Sequence, residues 1–136
     1  MKEEGMTSGA PRRQPLRSFR DLDVYQRARG MNVGLHELVL TLPDIEKYGL
    51  VDQIRRASKS IVANIAEGWA VRESAKDFKR YLRMALGSAN EIEAHLEMAN
   101  DLGYITIDVA NAYIEEAQVI ARQLNRLMVA WRSYNK

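Results

Sequence analysis

The chain has 136 residues, 46% of them hydrophobic, and a formal net charge of +2, which fits one domain with a sizeable core. It contains no cysteine and two histidines, so disulfide frameworks, thiolate metal sites and thiol nucleophiles are excluded. No apolar run approaches the roughly 20 residues that span a bilayer, and the N-terminus lacks a signal-peptide pattern, so we expect a cytoplasmic protein.

Residues 1–18 are predicted to form a flexible, basic N-terminal arm. They combine glycine, serine and proline with few apolar residues, and such a composition cannot offset the entropy lost on ordering. Residues 2–20 carry +3, so the rest of the chain carries −1 of the total +2. The pI near 9.0 therefore describes a basic arm attached to a nearly neutral domain, which we assign to residues 19–136.

Apolar residues spaced by three and four predict two helices in the first half of the chain. The first runs over about 21–41 and ends before Pro43, and the second runs over about 50–68. Gly30 and Gly34 lie inside the first helix, where each costs about 1 kcal/mol relative to alanine. We expect a close crossing with a neighbouring helix at these glycines, or else a locally loose helix.

Two further helices are predicted in the second half. Ser74 fits the N-cap of a long third helix that ends near Leu102, and Gly103 fits its C-terminal stop. Thr106 fits the N-cap of a fourth helix whose apolar stripe continues to Trp131. Four amphipathic helices with short connections predict an all-α fold, an antiparallel four-helix bundle.

Charge is distributed unevenly along the third and fourth helices. Residues 51–90 carry eight basic and four acidic residues, whereas residues 91–116 carry seven acidic and no basic residues. The helix macrodipole favours the opposite order along the third helix. A polyanion on the basic half, or a neighbouring subunit whose acidic half meets it, would compensate; an ordinary solvated face is the third interpretation.

The polyanion hypothesis assigns nucleic-acid binding to a basic patch. On a helical wheel the cations of the third helix lie opposite its apolar stripe. The patch comprises Arg55, Arg56, Lys59, Arg72, Lys76, Lys79, Arg80 and Arg83. Trp69 is the candidate for stacking on a base, because Phe78 and Tyr81 are predicted to face the core. A tryptophan that caps the end of the bundle is the favoured interpretation of Trp69.

A polar seam runs beside the apolar stripe of the second helix. It consists of Gln53, Ser60, Asn64 and Glu67, which recur at steps of seven, four and three residues. Because buried amides require partners, we expect Asn64 to hydrogen-bond across a helix interface or a subunit interface.

The sequence offers no recognisable catalytic centre. A di-metal site in a bundle needs Glu-x-x-His pairs on facing helices, whereas Glu91 and His95 are four residues apart and the fourth helix has no histidine. Phosphate-binding glycine loops, serine-nucleophile motifs and dinucleotide fingerprints do not occur either. We predict a noncatalytic protein without metal or cofactor; a binder of a small molecule between the helices is a further alternative.

Three blocks of sequence resemble a known family. The segment 48–68 reads YGLVDQIRRASKSIVANIAEG, residues 86–92 read LGSANEI and residues 102–105 read LGYI. They are similar to the four-helix bundle family of 23S rRNA intervening-sequence proteins, and the resemblance extends over about 19–131.

Members of this family are encoded within bacterial 23S rRNA genes or as free-standing genes, and related proteins are accessory subunits of diversity-generating retroelement reverse transcriptases. The resemblance implies a bundle that assembles into a ring, as a homopentamer, and a basic surface that engages nucleic acid. Gln53, Asn64, Glu67 and Gly68 match the family's motif and imply structural or interface roles. We therefore expect a homo-oligomer that binds RNA or other nucleic acid. The alternative is a scaffold or accessory subunit for a protein partner such as a reverse transcriptase.

Overall fold

A computed structural model describes residues 15–133 of the chain. The four helices are α1 (Asp23–Val39), α2 (Leu50–Ala70), α3 (Ala75–Asp101) and α4 (Ile107–Ala130). Two single-turn 3-10 helices, Phe19–Asp21 and Asp44–Glu46, precede α1 and α2. These residues contain no strand, which confirms the all-α prediction.

The helices form an antiparallel bundle around one apolar core. α1 and α3 each pack against both α2 and α4. The apolar stripes meet at the centre, where large side chains from every helix are buried. Burial of each such side chain contributes about 1.5–3 kcal/mol. The largest fully buried ones include Leu35, Ile54, Ile61, Phe78, Leu82, Ile92, Leu96, Ile120 and Leu124.

The two ends of the bundle differ. We call residues 40–49 and 98–108 the double-loop end, because they hold the connections α1–α2 and α3–α4. The opposite end, which we call the terminal end, holds the connection 71–74, the start of α1 and the end of α4. Each end is therefore built from segments that are distant in sequence.

The α3–α4 connection follows the predicted capping pattern. Gly103 has φ of 79°, and its N–H donates to Asn100 O at 2.9 Å while Tyr104 N–H donates to Ala99 O at 2.9 Å. This pair of bonds is the Schellman motif, in which glycine adopts the left-handed conformation at low cost. Thr106 Oγ1 then accepts from Val109 N–H at 3.2 Å and begins α4.

The start of α1 differs from the prediction by two residues. Asp21 caps the preceding 3-10 helix, since its carboxylate accepts from the N–H groups of Arg17 and Ser18 at 2.8 and 3.1 Å. α1 therefore begins at Asp23. It ends at Val39, and two turn residues follow. Residues 1–14 of the predicted arm lie outside the described residues.

The two glycines of α1 have different surroundings. A Cβ added at Gly34 would lie 2.5 Å from the Tyr113 hydroxyl oxygen of α4, so this glycine permits a close crossing of α1 and α4. A Cβ added at Gly30 would meet nothing within 4 Å. The predicted close crossing is confirmed at Gly34 and wrong at Gly30.

Candidate nucleic-acid interface

Four cations of the predicted patch share the outer face of α3. Lys76, Arg80 and Arg83 are exposed and Lys79 is half-buried, and the Arg80 guanidinium lies 4.6 Å from the ring centroid of Tyr81. They lie within eight residues, and the seven steps from the first to the last correspond to about 10 Å of helix at 1.5 Å per residue. None of the four forms an ion pair with a carboxylate of residues 15–133.

Arg126 of α4 lies level with these cations but on another side of the bundle. The rings of Phe78 and Trp131 are 4.7 Å apart, and this contact sets the register between the antiparallel α3 and α4. Counting back five residues from Trp131 places Arg126 level with Arg83 along the axis. Arg126 lines the open groove between the start of α1 and the end of α4, so it lies on the α1 side of α4. We call Lys76, Lys79, Arg80 and Arg83 the basic face.

The predicted cations of α2 lie farther from this surface. Ser88 Oγ donates to Ser60 Oγ at 3.0 Å, which sets the register between α2 and α3. Arg56, one turn before Ser60, is thereby level with Ile92, about 18 Å along the axis from Arg80. Arg56 Nε also pairs with Asp52 Oδ2 at 3.0 Å, so its charge is partly compensated.

Arg55 and Lys59 occupy different sides of α2. Arg55 is half-buried and lies one turn before Ser58, whose hydroxyl donates to Asn32 Oδ1 of α1 at 2.8 Å. Arg55 is therefore on the α1 side of α2, away from α3. Its buried Nε has no hydrogen-bond partner among the described residues. Lys59 is exposed on the outer face of α2.

Arg72 has a structural position at the terminal end. Its guanidinium lies 4.3 Å from the ring centroid of Trp69, and Nη1 donates to Trp69 O at 3.1 Å. Its carbonyl oxygen accepts from Trp131 Nε1–H at 2.8 Å. Trp69 is 7% exposed and packs edge-on against Trp131 at 6.0 Å. Trp69 thus caps the bundle, as favoured from the sequence, and is closed to stacking on a base.

The polar seam of α2 has mixed roles. Asn64 is buried, and its Nδ2 donates within α2 to Ser60 O and Ser60 Oγ at 2.9 and 3.0 Å. The expected bond across the helix interface is instead made by Ser60 with Ser88 of α3. Gln53 and Glu67 of the same seam are exposed.

Gly68 allows α2 and α3 to approach closely. It is buried, and an added Cβ would lie 2.9 Å from Tyr81 Cβ and 3.0 Å from Phe78 Cδ1. Phe78 is fully buried and Tyr81 is half-buried, in agreement with their predicted orientation toward the core. A side chain at position 68 would push the basic face of α3 away from α2.

Residues 15–133 contain neither a metal-binding cluster nor a membrane-spanning helix. His95 Nε2 lies 2.9 Å from Glu91 Oε2. No third metal ligand joins this pair, since the described part of the chain contains no group of three His, Cys, Asp or Glu residues able to hold a metal. An open apolar groove of about 680 Å³ lies between the start of α1 and the end of α4. No helix within this range is long and apolar enough to cross a membrane.

The fold and this surface define a four-helix bundle with an outer basic face on its third helix. A family model described as 23S rRNA-intervening sequence protein matches residues 20–126. The chain therefore belongs to the 23S rRNA-intervening sequence protein family, as its motifs indicated.

A solved structure supports the same assignment. The chain is similar to a crystal structure of a protein of unknown function from the S23 ribosomal protein family of Bacteroides thetaiotaomicron VPI-5482. The two share 29% identity with a TM-score of 0.72, over 79% of this chain and 96% of that one. No functionally curated protein matches the chain.

Proposed function

We propose that this protein is a noncatalytic, homo-oligomeric, cytoplasmic protein that binds RNA through its basic face. The observation that carries the proposal is the set of four cations on the outer face of α3 that have no carboxylate partner among the described residues. Such a surface suits a phosphate backbone, which Lys and Arg contact without reading sequence.

The position of these cations on α3 adds a second argument. Cations in the first turns of a helix oppose its macrodipole, which favours negative charge there. Phosphate groups bound to Lys76, Lys79, Arg80 and Arg83 would offset this unfavourable interaction. Binding would release counterions, so affinity should fall steeply with salt and depend little on sequence.

A charge-reversal pair tests the basic face. We expect Lys79→Glu with Arg83→Glu to weaken binding of a short structured RNA at least about tenfold, nearly uniformly across sequences, and to reduce the salt slope by about 2. Arg29→Glu with Lys47→Glu is the matched control, because it reverses two exposed cations outside the basic face. Equal weakening by both pairs, or binding that is independent of salt, would contradict the proposal.

Homo-oligomerisation is proposed from the seam of α2. Asn64 and Gly68 have roles within the chain, whereas Gln53 and Glu67, which match the same family motif, face solvent. We infer that Gln53 and Glu67 contact a neighbouring subunit in a ring, with the pentamer implied by the family resemblance. Gln53→Ala with Glu67→Ala should lower the mass of the oligomer measured by light scattering. The control pair Gln118→Ala with Glu115→Ala, at exposed positions of α4, should leave this mass unchanged.

The opposed charges of the bundle favour a second candidate function. Seven acidic residues in 91–116 lie at the opposite end of the bundle from the basic first half of α3, so the basic face could pair with the acidic half of a neighbouring subunit. The protein would then be a scaffold or accessory subunit whose function depends on a protein partner, such as a reverse transcriptase. In that case Lys79→Glu disrupts the oligomer. The unaltered protein then forms an oligomer that dissociates at high salt and does not bind RNA.

A further inference from the structure

Exposed apolar side chains are concentrated at the double-loop end. The residues that the structure describes include eleven large exposed hydrophobic side chains. Six of them lie in the 21 residues of this end, namely Leu40, Ile45, Tyr48, Met98, Leu102 and Ile107. Single exposed apolar residues are common on protein surfaces, whereas a concentration of this kind marks an interaction site. Ile45 and Tyr48 are 83% and 86% exposed, so the bundle covers little of either side chain, although the Lys47 ammonium lies 5.5 Å from the centroid of the Tyr48 ring.

The two connections at this end are tied together. Tyr104 Oη of the α3–α4 connection donates to Glu46 Oε2 of the α1–α2 connection at 3.0 Å. Glu46 Oε1 also accepts from Leu50 N–H at 3.0 Å, which anchors the carboxylate to the start of α2. With the Schellman motif at Gly103, these bonds hold the surface in shape before any partner arrives. Preorganisation of this kind lowers the entropic cost of binding.

The charge of this end selects among possible occupants. Its 21 residues contain four acidic residues, Asp44, Glu46, Asp101 and Asp108, against the single cation Lys47. A second copy that presented the same end would bring like charges together, which is unfavourable. The basic face of a second copy would have the right charge, but our proposed function, on which this inference rests, assigns that face to RNA. Charge complementarity therefore points to a different, basic protein.

We propose that the double-loop end docks a basic amphipathic helix of another protein. A helix carries apolar residues in a row at spacings of three and four, with Lys and Arg alongside. Neighbouring helices of a bundle lie about 8–10 Å apart, so one docked helix can contact both connections. Its apolar row covers Ile45 and Leu102, one from each connection, while its cations meet Asp44, Asp101 and Asp108. This surface lies at the acidic end and is separate from the basic face.

The probe is a synthetic helical peptide with leucine on one face and lysine on the other. We measure its binding to the full-length protein by fluorescence anisotropy. Two further peptides serve as controls: one has glutamate in place of lysine, and the other has the same composition in scrambled order. We expect the Leu/Lys peptide to bind at least about tenfold more tightly than either, because it alone combines the apolar row with positive charge.

Paired variants locate the binding surface. Ile45→Ser with Leu102→Ser should weaken the Leu/Lys peptide at least about tenfold. Tyr48→Ser with Ile107→Ser serves as an independent second pair. Val33→Ser with Val129→Ser is the matched control, since these exposed valines lie on α1 and α4 outside this end and should leave the affinity unchanged. Thermal unfolding of all variants verifies folding.

Four results would overturn the proposal. The first is no binding of the Leu/Lys peptide, and the second is equal weakening by the control pair. The third is equally tight binding of the scrambled or glutamate peptide. The fourth is a lower oligomer mass of the Ile45/Leu102 variant without peptide, because it would show that copies of this chain occupy the surface. RNA affinity of the same variants tests the proposed function separately.

Discussion

Ser88 of α3 donates its hydroxyl hydrogen to Ser60 Oγ of α2 at 3.0 Å, and the same oxygen accepts from Asn64 Nδ2 at 3.0 Å. Three polar side chains thus form one connected group at the α2–α3 interface, beside an apolar core. Apolar contacts tolerate a shift of one helix along another more readily than directional bonds do. The group therefore specifies which turn of α3 faces which turn of α2.

Removal of this group should reveal coupling between its members. We expect Ser60→Ala and Ser88→Ala each to lower the free energy of unfolding by about 1 kcal/mol, because each leaves a partner without its bond. The double variant should lose less than the sum, with a coupling of about 0.5–1.5 kcal/mol. Urea unfolding of the four proteins in the cycle measures this energy, and strict additivity would contradict the bond.

Two glycines provide a matched test of helix contact. Gly68→Ala should lower the free energy of unfolding by about 1–3 kcal/mol, since its Cβ meets Tyr81 and Phe78 of α3. Gly87→Ala on α3 meets nothing within 4 Å, so it should raise the free energy of unfolding by about 0.5–1 kcal/mol through helix propensity. Urea unfolding measures both; the same sign for the two variants would refute the close contact at Gly68.

Trp131 should be a main source of stability at the terminal end. Trp131→Ala removes the edge contacts to Phe78 and Trp69 and should cost about 3–5 kcal/mol. Trp131→Phe retains an aromatic ring but removes the donor to Arg72 O, and should cost about 1–2 kcal/mol. Chemical unfolding monitored by far-ultraviolet circular dichroism distinguishes the two values. Val129→Ala, at an exposed position two residues earlier, is the control and should change stability little.

The bond between Tyr104 and Glu46 should give the protein an alkaline transition. The hydrogen bond to the Glu46 carboxylate, together with desolvation, raises the pKa of Tyr104 above its ordinary value of about 10. A raised pKa favours the neutral phenol in the folded state. The stability that this bond contributes is therefore complete below about pH 10 and is lost as the pH rises through the raised pKa.

Glu46→Gln provides the test of this titration. The amide can still accept from Leu50 N–H, but it lacks the negative charge, so the pKa of Tyr104 should fall toward its ordinary value. Carbon NMR of labelled tyrosine rings follows the titration, and Tyr104→Phe identifies the signal. Glu37→Gln, an exposed carboxylate on α1, is the control. An unchanged Tyr104 midpoint in Glu46→Gln would show that the carboxylate does not hold the phenol.

The helices were predictable from the sequence because each buries one continuous apolar stripe and most end at strong local signals. Ser74, Gly103 and Thr106 act through bonds to residues within five positions, so their effect is visible in a short window. The start of α1 was harder to place, because Asp21 resembles a first-turn residue and instead caps a separate 3-10 turn.

The candidate site was only partly predictable, because it depends on register between helices. A helical wheel drawn from the sequence placed Lys79 and Arg83 on the outer face of α3, because this placement needs only local periodicity. The structural position of Arg72 depends on Trp131, which is 59 residues away in the chain. The position of Arg126 beside the start of α1 likewise requires α4 to return to that end of the bundle. Such relationships appear only when the whole bundle is assembled.

The separation of charge along the bundle has an electrical consequence. Arg80 and Asp101 lie on one helix, about 30 Å apart at 1.5 Å per residue. The Debye length at physiological salt is about 8 Å, so each pole is screened from the other by several such lengths. A polyanion near the positive pole would then be hardly repelled by the negative pole, and each pole acts on charged molecules independently of the other. The charges of the two poles interact appreciably only near 0.01 M salt, where the screening length reaches about 30 Å.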